Sequence, residues 1–155
     1  MRKSFLDHRV PPPVLMVAVA LLMGLAAKST ASLGWPAMAN FGTAAAFAAA
    51  GVAINVAGFR TIRRAGSTID PTRPAAASAL VIGGPFRFSR NPMYVGFTLL
   101  LLAWAAWLQS PWAFAGPVAF ALYLTRWQIV PEERALRAKF GAAYAAYQAR
   151  VRRWL

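Results

Sequence analysis

Four long apolar stretches alternate with short polar breaks along the chain. They cover residues 13–33, 36–59, 92–109 and 111–130. A helix needs about 20 mostly apolar residues to cross a bilayer, so each stretch is long enough for one span. The breaks at residues 32–36 and 109–111 are short enough to require antiparallel hairpins. The pattern predicts an all-α integral membrane bundle of four transmembrane helices, with residues 1–155 forming a single membrane domain.

Beyond the fourth stretch, apolar residues recur at spacings of three and four. They are Leu136, Phe140, Tyr144, Tyr147, Val151 and Trp154. Basic residues take most of the remaining positions, so the spacing predicts a C-terminal amphipathic helix. We expect this helix to lie on the cytoplasmic membrane surface or over the mouth of the bundle, with a kink at Gly141.

Basic residues dominate the charge of the chain and are unevenly placed. Lys and Arg number 17 against four Asp and Glu, which gives a formal charge of +13. They concentrate in the N-terminal tail, in residues 60–90 and after Val130, whereas the two hairpin turns hold only Lys28. Cytoplasmic loops carry excess Lys and Arg, so both termini and the connecting loop are predicted to be cytoplasmic. Anionic lipid headgroups are the expected counter-ions for the arginines.

A secretory signal peptide is an alternative interpretation of residues 1–31. This segment combines a basic start, an apolar run over residues 14–27 and small residues near residues 29–31. Its cleavage would leave three spans and would place the arginine-rich loop and the arginine-rich C-terminal region on opposite sides of the membrane. Because that arrangement breaks the charge rule, four spans are favoured.

The composition excludes several classes of chemistry. The chain has no cysteine, and its single histidine, His8, lies in a polar tail, so metal centres, disulfides and thiolate nucleophiles are not expected. Glu132 and Glu133 are adjacent and would point about 100° apart on a helix, so they do not form a hydrolase pair. Nucleic-acid binding is not expected either, because the basic residues lie between apolar stretches and do not form one polar face.

Small residues recur four apart in the second apolar stretch, at Gly42, Ala46 and Ala50. Such spacing lets another helix approach closely, so we expect these residues to form a packing face. The same face would serve pairing within one chain or between chains, and the oligomeric state stays open.

Polar residues collect at the inner end of the predicted bundle. Residues 60–91 are too polar to cross a membrane and too long for a plain turn, and they bring Arg90 and Asn91 to the start of the third span. Glu132 and Glu133 follow the fourth span at the same depth. These residues are typical either of an interfacial belt or of a site for a zwitterionic ligand, which needs a cation, an anion and an aromatic slot.

Two motifs carry a resemblance to a known family. They are residues 84–96, GPFRFSRNPMYVG, and residues 132–147, EERALRAKFGAAYAAY. In order and spacing this pair resembles the isoprenylcysteine carboxyl methyltransferase and phospholipid methyltransferase superfamily, over about residues 59–155. Members are integral-membrane enzymes, and the resemblance implies a methyltransferase that uses S-adenosylmethionine at the cytoplasmic membrane face.

The resemblance also implies a cofactor region at about residues 78–94 plus 126–147. Its expected cofactor-binding residues are Ser78, Ala79, Leu80, Val81, Phe86, Arg90, Asn91, Pro92, Met93, Tyr94, Glu132 and Glu133. Tyr94 and Glu133 are the positioning candidates, and no dedicated catalytic residue is expected, since methyl transfer depends on positioning more than on proton transfer. Asn91 stands where the family usually has His, which removes titration near neutral pH. The family's substrate-binding Arg falls on Gln128, and Arg126 is the nearest available arginine.

Two other functions remain as alternatives. Sterol reductases, which use NADPH, have a related C-terminal pattern, but the absent His and the small number of spans favour methyl transfer. A non-enzymatic lipid-binding scaffold is the second alternative. The acceptor, lipophilic or small, could present a carboxylate, an amine or a thiol.

Overall fold

The computed structural model describes residues 10–66 and 78–155, and these two ranges contain only helices, turns and loops. The helices are α1 (Pro12–Ala27), α2 (Ala37–Arg64), α3 (Pro92–Leu108), α4 (Ala115–Leu124) and α5 (Val130–Arg150). Extended pairing in these ranges is limited to one bridge between Ser89 and Arg152. The all-α prediction is confirmed. The basic N-terminal tail with His8 lies outside the described residues.

The helix bounds follow the apolar stretches closely at two of the four predicted spans. α3 ends at Leu108, one residue before the predicted end of the third stretch. α2 continues beyond residue 59, the predicted end of the second stretch, to Arg64. α1 stops at Ala27 and the fourth stretch is divided among a 3₁₀ turn, α4 and a π-helical turn. Among the described helices, only α2 is both long and apolar enough to cross a membrane, while α1 and α3 are apolar but hold 16 and 17 residues.

α3 is the central helix of the fold. α2 packs along it on one side, and α1 and α4 pack against it and against each other. The buried core joins residues of α1, α3 and α4, among them Met23, Leu101, Ala105 and Phe120. This arrangement leaves much of α1 and α2 uncovered, and large apolar side chains such as Leu21 are exposed there.

The packing of α2 on α3 depends on glycines other than the predicted ones. A Cβ atom on Gly51 would lie 2.8 Å from the carbonyl oxygen of Gly96, so the two backbones meet directly. The buried face of α2 contains Asn40, Ala44, Gly51 and Gly58. The predicted face does not pack within the described chain: Gly42 has open space around it, and Ala46 and Ala50 are exposed. The physical reason is that these residues point away from α3, on the flank or the far side of α2. Pairing of this face between chains stays a prediction.

The two hairpin turns lie side by side at one end of the bundle. Gln109 accepts a backbone hydrogen bond from Leu33 at 2.7 Å, and its side-chain oxygen accepts one from the amide of Trp35 at 2.9 Å. The hydroxyl groups of Thr30 and Ser110 are 2.6 Å apart. Residues 78–91 and the C-terminal segment consequently lie at the other end.

In the region of the fourth predicted span, α4 continues without a break into α5. The π-helical turn Thr125–Ile129 joins them directly before Pro131. Proline lacks an amide hydrogen and its ring clashes with the carbonyl four residues earlier, which explains a widened turn at this position. Gly141 has φ 50° and ψ −123°, so the expected kink is confirmed. Beyond it the predicted apolar face turns inward, and Tyr144 and Tyr147 are buried.

Candidate functional site

A cavity of about 100 Å³, the polar cavity, lies between the end of α2, the loop before α3 and α5. Its lining residues are Ile62, Ala79, Leu80, Val81, Phe86, Arg90, Asn91, Glu132, Glu133, Leu136, Tyr144 and Tyr147. The two segments that build it are about forty residues apart in the sequence. The 3₁₀ turn Gly84–Arg87 and the kink at Gly141 bring them together.

Glu133 is held by two arginines, and we call these three residues the arginine clamp. Arg90 Nη2 donates to Glu133 Oε1 at 2.7 Å, and Arg153 donates to both carboxylate oxygens at 3.0 and 2.8 Å. The Arg90 and Glu133 side chains are only 11% and 12% exposed. Burial alone would raise the pKa of Glu133, but the guanidinium groups of Arg153 and Arg90 hold that pKa below its usual value. Glu133 is therefore a fixed anion.

Arg90 also ties the C-terminal segment to the start of α3. Its Nη1 donates to the carbonyl oxygens of Val151 and Gln148 at 2.5 and 3.3 Å, and its backbone amide donates to Arg152 O at 2.9 Å. The Nε of Arg90 is buried without a hydrogen-bond partner in the described part of the chain. One donor of this guanidinium remains unused beside the cavity.

Asn91 occupies the N-cap position of α3 without capping the helix through its side chain. Its amide Nδ2 instead donates to Arg153 O at 2.9 Å. Its backbone amide donates to the Ser89 hydroxyl at 3.0 Å. The side chain of Asn91 therefore holds the C-terminal segment instead of the first turn of α3.

Glu132 lies in a different environment from Glu133. Tyr94 donates its hydroxyl proton to Glu132 Oε2 at 3.1 Å, and the buried Gln128 side chain interacts with the same hydroxyl. No arginine bonds Glu132 within the described residues. Burial raises the pKa of Glu132 to about 7, although the hydrogen bond from Tyr94 opposes that rise. Glu132 is therefore divided between its neutral and ionised forms near neutral pH.

Two tyrosines form an aromatic wall; they lie in the predicted cofactor region but are not among the expected cofactor-binding residues. Tyr144 and Tyr147 are 2% and 4% exposed, and the Tyr147 hydroxyl donates to Phe86 O at 2.7 Å. Burial raises the pKa of Tyr147 to about 12, so it stays protonated. The sequence assigned both tyrosines to the apolar face of the C-terminal helix. The expected kink at Gly141 was the signal that this face could pack against the loop before α3.

The remaining predicted site residues do not line the cavity. Ser78 is exposed and donates to Gly66 O at 2.6 Å. Pro92 and Met93 face Gly58 of α2. Tyr94 lies behind Glu132 and reaches the cavity only through it. Neither predicted substrate residue reaches the cavity: Gln128 is buried beside Tyr94, and Arg126 is exposed.

Comparison with known families agrees with this two-segment construction. The sequence profile of the phospholipid methyltransferase family matches residues 38–143, from the start of α2 into α5. The chain belongs to the phospholipid methyltransferase family. This membership implies methyl transfer as the general activity, and it confirms the resemblance carried by the two motifs. The match includes the first cavity segment and the second as far as residue 143, which leaves Tyr144 and Tyr147 outside it.

Two further comparisons accompany the phospholipid methyltransferase match. An uncharacterized protein of Haemophilus influenzae is 44% identical over 63 residues, which are 41% of this chain and 100% of that protein. No solved structure matches the chain.

The chemistry that this site offers comes from charge and aromatic surface. Within residues 10–66 and 78–155, no group of three or more His, Cys, Asp or Glu residues could hold a metal ion. The cavity instead presents one fixed anion, one titratable carboxyl, one guanidinium with a spare donor, and three aromatic rings. These groups can bind a ligand that carries both charges and a flat ring.

Proposed function

We propose that this protein is an S-adenosylmethionine-dependent methyltransferase whose cofactor binds in the polar cavity. The observation that carries the proposal is that Glu132, Arg90 and Glu133, which lie within the family match, meet the aromatic wall at one cavity. S-adenosylmethionine has an ammonium and a sulfonium, a carboxylate and an adenine ring. The cavity offers a carboxyl for a cationic group, a guanidinium for the carboxylate and aromatic rings for the adenine.

The donor set fits the cofactor residue by residue. Glu132, when ionised, suits a cationic group, and the spare Nε of Arg90 suits a carboxylate. Phe86, Tyr144 and Tyr147 offer apolar faces for a ring. Residues 79–81 also line the cavity, and their backbone groups are candidate hydrogen-bond partners.

The size of the cavity adds a condition to this fit. Ligand pockets usually measure about 300–1,000 Å³, whereas the polar cavity measures about 100 Å³. The loop and α5 must therefore separate to admit the whole cofactor. The hydrogen bond from Tyr147 to Phe86 O is one link that opposes this movement.

The cofactor, when bound, supplies a methyl group on a sulfonium to a nucleophile. The residues of this chain orient the reactants and exclude water, since in-line displacement depends on alignment. Glu133 is not a base in this scheme, because its low pKa and two arginine partners keep it an anion. Glu132 is the carboxyl whose proton can be exchanged near neutral pH.

We further propose that the chain crosses the membrane four times, with both termini and the polar cavity on the cytoplasmic side. Two features support this topology: apolar side chains exposed along α1 and α2, and basic residues concentrated away from the hairpin turns. The acceptor is a lipophilic or small molecule with a carboxylate, amine or thiol. A lipophilic acceptor would arrive through the bilayer, with the exposed Arg126 at the membrane edge.

Equilibrium binding to the detergent-purified protein tests the cofactor. S-adenosylmethionine and S-adenosylhomocysteine should bind saturably, and NADPH should not. Glu132→Ala should lower affinity for S-adenosylmethionine at least about tenfold, because a charge-assisted contact is worth about 1.5–3 kcal/mol. Arg126→Gln is the matched control, since it changes an exposed residue on the same helical path and should bind normally.

The alternatives have distinct outcomes in the same assay. Tight binding of NADPH alone would favour a reductase of the sterol-reductase type. Binding of neither cofactor by a folded protein would favour a lipid-binding scaffold. Equal affinity of the wild type and Glu132→Ala for S-adenosylmethionine would place the cofactor outside the polar cavity.

A further inference from the structure

An open apolar groove, the α2–α3 groove, runs between the second half of α2 and the start of α3. Its lining includes Val56, Phe59, Met93 and Phe97, and its volume is about 560 Å³. It shares no lining residue with the polar cavity. The two are separate sites, and the proposed methyl transfer makes no use of the groove.

The groove continues along α2 as a connected apolar surface. A shallow depression of about 610 Å³ on α2 shares Val56 and Arg60 with it. A third depression of about 380 Å³ shares Ala48 with the second and includes Trp104 and Trp107 of α3. An apolar path thus runs from Arg60 toward the hairpin end of the bundle.

Three arginines line the other end of the groove: Arg60, Arg63 and Arg64. All three are exposed, and the Arg63 guanidinium lies 5.6 Å from the centre of the Phe59 ring. Both glutamates of the described residues belong to the polar cavity, so no acidic side chain within those residues neutralises this cluster. Among the described residues, the arginine end of the α2–α3 groove is therefore positively charged.

We propose that the α2–α3 groove binds an anionic phospholipid of the membrane. The phosphate lies against the three arginines, and one acyl chain lies along Val56 and Phe59. The lengths agree: one leaflet contributes about 15 Å of hydrocarbon, which is about ten helical residues at 1.5 Å each. Ten residues from Arg60 reach the middle of α2, where the channel is lined by alanine and valine.

Charge favours a lipid over a second copy of the chain as the occupant. A second copy inserted in the same orientation would place its own three arginines at the same depth. Like charges would then face each other across the contact. An anionic headgroup instead neutralises the cluster, and each basic residue near a membrane surface contributes about 1 kcal/mol to such binding.

Native mass spectrometry of the detergent-purified protein tests this site with dioleoyl phosphatidylglycerol and dioleoyl phosphatidylcholine as probes. The wild type should retain phosphatidylglycerol at collision energies that remove phosphatidylcholine. The double variant Arg60→Gln/Arg63→Gln should bind phosphatidylglycerol about tenfold more weakly or worse. Arg150→Gln/Arg152→Gln is the matched control, because it removes two exposed charges elsewhere and should retain the lipid.

A second variant tests the groove without changing charge. Val56→Trp should fill the channel and reduce phosphatidylglycerol retention, whereas Val118→Trp, at an exposed position of α4, should not. Binding of S-adenosylmethionine by each variant checks that it is folded, and this readout is independent of the lipid. Equal retention of both lipids, unchanged retention in the groove variants, or a lipid-free dimer through this face would each overturn the proposal.

Discussion

Glu132 and Glu133 are neighbours in the chain, yet they lie in opposite electrostatic environments. Glu133 faces two guanidinium groups, while Glu132 faces the hydroxyl of Tyr94. Consecutive helical residues point about 100° apart, so one turn of α5 serves two different surroundings. The Glu133 carboxyl stays an anion, whereas the Glu132 carboxyl titrates near neutral pH. The charge of the site near neutral pH therefore changes through Glu132.

Glu132→Gln should change how stability depends on pH. Burial raises the pKa of Glu132 from 4.5 to about 7, so the folded wild type keeps a proton that the unfolded chain releases over this range. Ionisation in the fold costs free energy, so this residue's contribution to stability falls as pH rises from about 4.5 to about 7. Glutamine has no such contribution. The melting temperature of Glu132→Gln, relative to wild type, should therefore rise between about pH 5 and pH 8, and a constant difference would contradict the assignment.

Arg90→Gln should destabilise the protein more than Arg153→Gln. Arg90 is nearly buried and bonds both Glu133 and two backbone carbonyls, so its loss should cost about 3 kcal/mol. Arg153 is 38% exposed, and its loss should cost about 1 kcal/mol. Arg152→Gln is the exposed control. Unfolding free energies in mixed detergent measure all three, and an equal cost for Arg90 and Arg153 would mean that burial does not govern the clamp.

At the scale of elements, the fit of α2 against α3 depends on one backbone contact. Gly51→Ala should destabilise the bundle by about 2 kcal/mol, because the new methyl group meets the Gly96 carbonyl and the helices must separate. Gly42→Ala is the matched control on the same helix. It has open space and should be neutral or stabilising by up to about 1 kcal/mol. Thermal unfolding of the two variants measures the difference, and a reversed order would contradict the packing described for α2.

The elements also separate what local pattern can predict from what it cannot. Apolar runs and prolines predicted α3 to within one residue, because those signals act locally. The packing face of α2 was missed, since an alanine-rich helix offers several faces of small residues and only the partner selects among them. Arg153 was missed for a similar reason. Its partner Glu133 lies 20 residues earlier, and nothing near Arg153 in the sequence signals that contact.

At the scale of the whole molecule, the hairpin turns and the polar cavity should lie on opposite sides of the membrane. The chain contains no cysteine, so single-cysteine variants can report sidedness without background. Ser29→Cys should react with an impermeant maleimide in intact cells, and Ala142→Cys should react only after permeabilisation. Both positions are exposed. The reverse labelling pattern would invert the proposed orientation, and labelling of both in intact cells would rule out separate sides.

The backbone carbonyls of residues 151–153 have a consequence for biosynthesis. Arg90 and Asn91 depend on them for hydrogen bonds across about sixty residues of sequence. All five helices precede this segment in the chain and make none of their helical hydrogen bonds to its carbonyls, so they can form while Arg90 still lacks these partners. The hydrophobic bundle can therefore pack before the cavity is complete. A ribosome-bound chain in which an unrelated linker, long enough to clear the exit tunnel, replaces residues 151–155 should carry a folded bundle that does not bind S-adenosylmethionine.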